Sequence, residues 1–245
     1  LHDQRDAWIY IQYTPLGRRY RTCAGTCRGR GLHPDRCSLN VCTATMTEHS
    51  LRTNEHEEAA SALEALAEWA ERVEKDIGYW RWVVLALHNT VQGSMVLALR
   101  GSDGLRPLRD DIAAKWLTAY RDGGQYPIEK LDSFLNRYKK VLSDTMLFFV
   151  HSKKVIPSRT LGRSVKKLNS LRNDFVHFLP RSWSLEVSGL PEICLDCLAL
   201  VEFLAWECGN IIWHEEEHRE RGKAAITLAR NHFNSLERVY TTRAA

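Results

Sequence analysis

The 245-residue sequence predicts an all-α fold, a bundle of about six helices. Three observations predict it. Apolar residues recur at intervals of three and four through most of the chain. Strict alternation of apolar and polar residues is sustained nowhere. Gly and Pro cut the periodic stretches into helix-sized lengths, with no internal repeat and no long linker between them.

Glu57 to Asp76, rich in Ala, Leu and Glu, predicts the first helix, with Leu63, Leu66, Ala70 and Val73 on one face. Gly78 separates it from Tyr79 to Leu99, apolar nearly all round as a central helix should be. Gly101 and Gly104 mark a loop, and Asp110 to Tyr120 a short amphipathic helix stopped by Gly123 and Gly124. Pro127 opens a further helix through about Phe149, and Pro157 marks the break after it. Ser158 caps a helix running to about Phe178, ended by Pro180. Residues 181 to 190 form a loop, with a short extended piece at Ser184 to Val187. Pro191 sits where a first-turn proline belongs, and a second buried helix runs from it to Trp213. The charged run His214 to Arg221 leads into a final helix near Ala224 to Tyr240.

Two stretches are apolar enough to be weighed as membrane spans. Tyr79 to Leu99 contains Arg81, His88, Asn89 and Gln92, and Ile193 to Trp213 contains Asp196, Glu202 and Glu207. Such groups are expensive in lipid, so both read better as buried helices of a cytoplasmic protein.

Residues 1–45 differ from the rest. They hold no Lys and no Glu, yet seven Arg and four of the seven Cys, and the first Met is Met46. This composition resembles translated GC-rich upstream DNA, so 1–45 is expected to be a non-native or disordered extension and 46–245 a single helical domain. Seven Arg against Asp3, Asp6 and Asp35 give 1–45 a net charge of +4, which is that of the whole chain. Residues 46–245 are therefore neutral overall, and only local clustering can argue for nucleic acid.

One helix carries such clustering. At about 100° per residue, Leu161, Val165, Leu168, Leu171, Phe175 and Leu179 share the core face of Ser158 to Phe178. Opposite them Arg159, Arg163, Lys166, Ser170, Asn173 and His177 form one ridge, with Lys167 beside it. From Lys153 to Arg172 there are seven Lys or Arg and no acidic residue. A row of cations leading to an Asn and a His suits a phosphate backbone running towards an acid–base group. Solvated basic helix faces are also common.

The order of residues adds to this. Arg172-Asn173-Asp174-Phe175-Val176-His177 resembles the signature of HEPN domains: an Arg, a polar residue, and a His after four to six intervening residues. The surroundings match as well, since Phe178-Leu179-Pro180 closes the helix, Trp183-Ser184-Leu185-Glu186-Val187 fills the loop, and a buried helix follows from Pro191. The resemblance covers roughly residues 60 to 213. It implies a helical bundle that dimerises, bringing two motifs together, and a metal-independent endoribonuclease of toxin–antitoxin or anti-phage defence systems. By that resemblance His177 is the general base or acid, Arg172 stabilises charge on the scissile phosphate, and Asn173 positions the phosphate or the His. The ribose 2′-OH is the nucleophile, so neither a metal nor a cofactor is required, and the product is a 2′,3′-cyclic phosphate. Arg159, Arg163, Lys166 and Lys167 then bind RNA. An antitoxin or a neighbouring defence protein is a further expected partner. The alternative is a non-catalytic module of the same type, binding RNA, a nucleotide or a protein. On an ideal helix Arg172 lies about 140° from His177. Its stem must therefore wrap round, the helix must distort, or a partner subunit must supply the His.

Other signals compete. His214-Glu215-Glu216-Glu217-His218 matches the zinc-protease pattern His-Glu-x-x-His, with Glu237 and His232 as candidate third ligands, but it sits in a charged run better read as a solvated helix end. His88, Asn89 and Gln92 interrupt the most apolar helix; they read as satisfied core hydrogen bonds or as a second tier of site residues lining a groove beside the motif. Trp183 reads as a loop anchor or as a platform for a base. Cys23, Cys27, Cys37 and Cys42 fit no common zinc spacing, and Cys194, Cys197 and Cys208 read as core filling.

Overall fold

Asn54 starts the first helix: its Oδ1 accepts from the backbone N–H of His56 and of Glu57, both at 2.9 Å, and Glu55, Glu57 and Glu58 complement the positive end of the helix. The computed structural model describes residues 51, 53–177, 180 and 182–244. Residues 1–45, Met46, and Phe178, Leu179 and Arg181 beside the motif lie outside the described residues. Among the described residues there are seven α-helices and no strand. They are α1 (Glu55–Val73), α2 (Trp80–Arg100), α3 (Asp110–Asp122), α4 (Phe134–Leu142), α5 (Leu161–Val176), α6 (Leu190–Glu202) and α7 (Glu216–Ala244). Leu51–Ala245 forms one compact unit, and the all-α class predicted for it holds.

The core is built round α2. Val83, Leu87, Val91, Met95 and Ala98 are fully buried, and α2 packs against α1, α4, α5 and α6. Together with the turn before it, Ile77–Arg100 is long and apolar enough to cross a membrane, with a mean hydropathy of 1.4, yet most of its apolar surface is spent inside the bundle. α1 packs on α7 as well, where Arg221 donates to both Glu57 and Glu64. The buried Trp80 of α2 donates to Tyr240 Oη of α7 at 3.0 Å. α3 stands apart, on a small apolar cluster of Leu105, Leu108 and Ile112.

Several boundaries differ from the sequence reading. Residues 125–132 are not helical. Their extended backbone pairs with 107–109 through Arg109 N–H to Lys130 O and Asp132 N–H to Pro107 O, and Ser133 caps the later helix α4. Ser184–Val187 is irregular and forms no strand. α6 passes into a π-helical turn at Phe203–Glu207, stopped by Gly209 at φ 80°. A side chain at Gly209 would approach His151 O to 2.7 Å. The charged run His214 to Arg221 is mostly the first turns of α7, favoured by Glu216 and Glu217 at its N-terminus.

Asn210, 6% exposed, ties three segments together. Its Nδ2 donates to Ala98 O and Met146 O, both at 3.0 Å, and its Oδ1 accepts from Ser152 Oγ at 2.6 Å. Lys153 N–H donates to Cys208 O at 2.8 Å beside it. These bonds fix the segment that leads into α5.

Candidate functional site

α5 has the two faces its sequence predicts. Leu161, Val165, Leu168 and Leu171 are buried and Phe175 packs against the core. On the core side Ser164 Oγ also donates to Asp196 of α6 at 2.6 Å. Arg159, Arg163, Lys166, Lys167, Ser170 and His177 are exposed, and Asn173 is half-buried. Among the described residues no carboxylate pairs with Arg159, Arg163, Lys166 or Lys167, whereas Lys154 is held by Asp144. The four cations are thus left to interact with solvent or with an anion.

His177 lies just past the helix. It is the C-terminal cap of α5 at φ −90°, ψ 8°, and its N–H donates to Asn173 O at 3.0 Å. This places an exposed imidazole at the end of the cationic ridge. Arg172 bonds to its neighbour on the helix. It is half-buried, and its Nη1 donates to Asn173 Oδ1 at 3.0 Å. Among the described residues the stem thus reaches only the adjacent residue, Asn173. No hydrogen bond joins Arg172 to the His177 side chain among the described residues.

Behind Arg172 sits a second His. His88 is buried on α2, stacked on Phe134 at 4.1 Å between ring centroids and 3.4 Å from Asn169 Oδ1 of α5. Burial, with the nearby positive charge of Arg172, pushes it down to about 4, against the opposing effect of the Asn169 hydrogen bond. At neutral pH this imidazole is uncharged. Arg137 of α4 is also buried; its Nη1 donates to Asp132 O, and its Nε has no partner among the described residues. Asn89 is exposed and Gln92 half-buried.

A groove of about 690 Å³ opens beside the motif, between the start of α2, the end of α5 and the loop after it. Trp82, Phe175, Val176 and Trp183 form its walls, and Arg81 and Asp174 supply its charges. His88, Asn89 and Gln92 do not line it, so the second-tier residues divide: Trp183 belongs to the groove, and His88 belongs to the packed core under Arg172. Trp183 packs on Phe175 at 5.1 Å and stays 46% exposed. The sequence reading did not single out Arg81, Trp82 or Asp174. The available signal was Arg81 and Trp82 in the first turn of an otherwise apolar helix.

The His-Glu-x-x-His segment is occupied by structural contacts. His214 precedes α7 and packs edge-on against His56 at 5.1 Å. His218 Nε2 lies 2.9 Å from Glu57 Oε2 and 3.4 Å from Glu215 Oε2. Among the described residues no group of three His, Cys, Asp or Glu has the arrangement to hold a metal ion. Cys194, Cys197 and Cys208 are buried, and burial pushes each thiol up, away from reactivity.

Comparison with models of known protein families finds no match, and neither does comparison with curated proteins or with solved structures.

Proposed function

We propose that this protein is a metal-independent endoribonuclease of the HEPN type, acting in the cytoplasm as a toxin or defence effector. The observation that carries the reading is the ridge of α5: four cations, unpaired among the described residues, lead along one exposed face to Asn173 and then to an exposed imidazole at the helix end. Cations at that spacing neutralise successive phosphates, and the imidazole meets the backbone where the ridge stops. In the reaction, a 2′-OH loses its proton to a base, its oxygen bonds to the adjacent phosphorus, and the bond to the 5′-oxygen breaks as that oxygen gains a proton. His177 serves as the base or the acid, and Arg172 faces the charge that grows on the phosphate. A homodimer brings a second motif to the same place and supplies the proton donor or acceptor that one His cannot be at once.

One observation favours a non-catalytic module that binds RNA, a nucleotide or a partner protein. Arg172 spends a hydrogen bond on Asn173 instead of meeting His177. A single experiment divides the two readings: wild type and His177→Ala on total RNA, with and without EDTA. Cleavage by wild type alone, unaffected by EDTA and ending in 2′,3′-cyclic phosphate, is the expected result. Equal cleavage by both proteins removes His177 from catalysis. No cleavage by either leaves the binding module.

A further inference from the structure

We propose that the groove between α2 and α5 is a guanine subsite, in which the base stacks on Trp183 and Asp174 reads its Watson–Crick edge. The inference rests on the RNA reading only for the polymer to which the base belongs. The groove's volume, about 690 Å³, is that of a small-molecule site and accommodates a nucleoside. Its walls are aromatic. Trp183 is backed by Phe175 at 5.1 Å and Trp82 by Trp69 at 6.0 Å, and each Trp is 46% exposed. Half-exposed indoles held from behind offer stacking surface without further ordering.

Among the described residues the groove's charged side chains are two, of opposite sign. Arg81 and Asp174 both line it and both are exposed, and among the described residues neither is in an ion pair. An ionised carboxylate offers only acceptors. Guanine alone among the four bases presents two adjacent donors, N1–H and the exocyclic amine, so a carboxylate can take both. Adenine and cytosine set an acceptor beside their amine, and uracil flanks its single N–H with carbonyls. Arg81 offsets the charge of Asp174 and is suited to the phosphate of the same nucleotide. Asp174 and Val176 enter the groove within three residues of His177, so a base held there belongs to a nucleotide close to the one that His177 meets.

The test is calorimetric titration of the full chain with GMP, AMP, CMP and UMP. GMP is expected to bind on the order of tenfold more tightly than the other three. Asp174→Asn should abolish that preference, and Trp183→Ala should weaken GMP roughly tenfold, with unchanged circular dichroism for both variants. Arg81→Ala should weaken GMP while leaving guanosine unaffected. Equal affinity for all four nucleotides overturns the proposal, as do no binding at millimolar nucleotide, a preference that survives Asp174→Asn, or a second copy of the chain displacing GMP as protein concentration rises. The titration reads binding in the groove and needs no cleavage. Loss of the cleavage reading in the RNA assay therefore leaves this result standing on its own.

Discussion

The Arg172 guanidinium is bonded to Asn173 Oδ1 at 3.0 Å while its charge bears on the buried His88, one helix away. One side-chain bond, to its neighbour on the same helix, thus holds the guanidinium. Arg172→Lys keeps the charge and loses the planar fork, so RNA cleavage should fall by about 10²-fold with little change in RNA affinity. Single-turnover rates and filter binding on the same substrate separate the two. A parallel fall in both would make Arg172 an affinity residue only.

His177→Ala should lower cleavage by about 10²- to 10⁴-fold and leave thermal stability unchanged, because the imidazole is exposed and makes no hydrogen bond among the described residues. A drop in melting temperature comparable to that of a core substitution would contradict this placement.

Lys166→Ala and Lys167→Ala should weaken RNA binding across all sequences and each reduce the slope of log affinity against log salt by about 0.7 to 0.9. Neither cation has a carboxylate partner among the described residues to release, so the loss should appear in binding and not in stability. An unchanged salt slope would remove the ridge from the interface.

Acid should destabilise the fold through His88. Its value is pushed down to about 4 in the folded protein, against 6.5 for an ordinary His. The unfolded chain therefore binds a proton that the folded chain refuses between those two values. Stability is full above pH 6.5 and falls as the pH drops towards 4, by roughly 3 kcal/mol. His56, pushed down by burial, acts in the same direction. Denaturant titrations at pH 7 and pH 4.5 should show a smaller difference in His88→Gln than in wild type; equal differences would exclude His88 as a source.

Asn210→Ala should cost on the order of 2–4 kcal/mol, because it strips the partner from the carbonyls of Ala98 and Met146 and from Ser152 Oγ at once. Equilibrium unfolding in urea measures it. A cost below 1 kcal/mol would mean that water replaces all three bonds.

The parts of this architecture that follow from periodicity were legible in the sequence. Leu161, Val165, Leu168 and Leu171 recur at helical spacing, and the structure buries all four. The ridge opposite them followed by the same geometry. What failed were features that depend on distant partners. Pro127 carries a helix-start signal, but the backbone from Lys130 to Asp132 finds hydrogen bonds with 107–109, and no local propensity reports that. His177 falls on the helical ridge by counting, yet α5 ends at Val176 and His177 is its cap. The charged run at His214 reads in sequence as a solvated helix end. Its Glu57–Arg221 and Glu57–His218 pairings, which join it to α1, lie more than 150 residues apart in sequence. The groove was missed because Trp82 and Trp183 are 101 positions apart and only the meeting of α2 with the end of α5 unites them.

Under the proposed function, the bonds from Lys153 to Cys208 and from Ser152 to Asn210 set how a polyanion is received. The segment carrying the first cations of the row is stapled to the interior at its origin, so it behaves as a strut and not as a tethered arm. Its backbone entropy is already lost when the chain folds. An arriving strand then meets a pre-organised rail of charge, and association can proceed at the rate of electrostatic encounter without waiting for a loop to order.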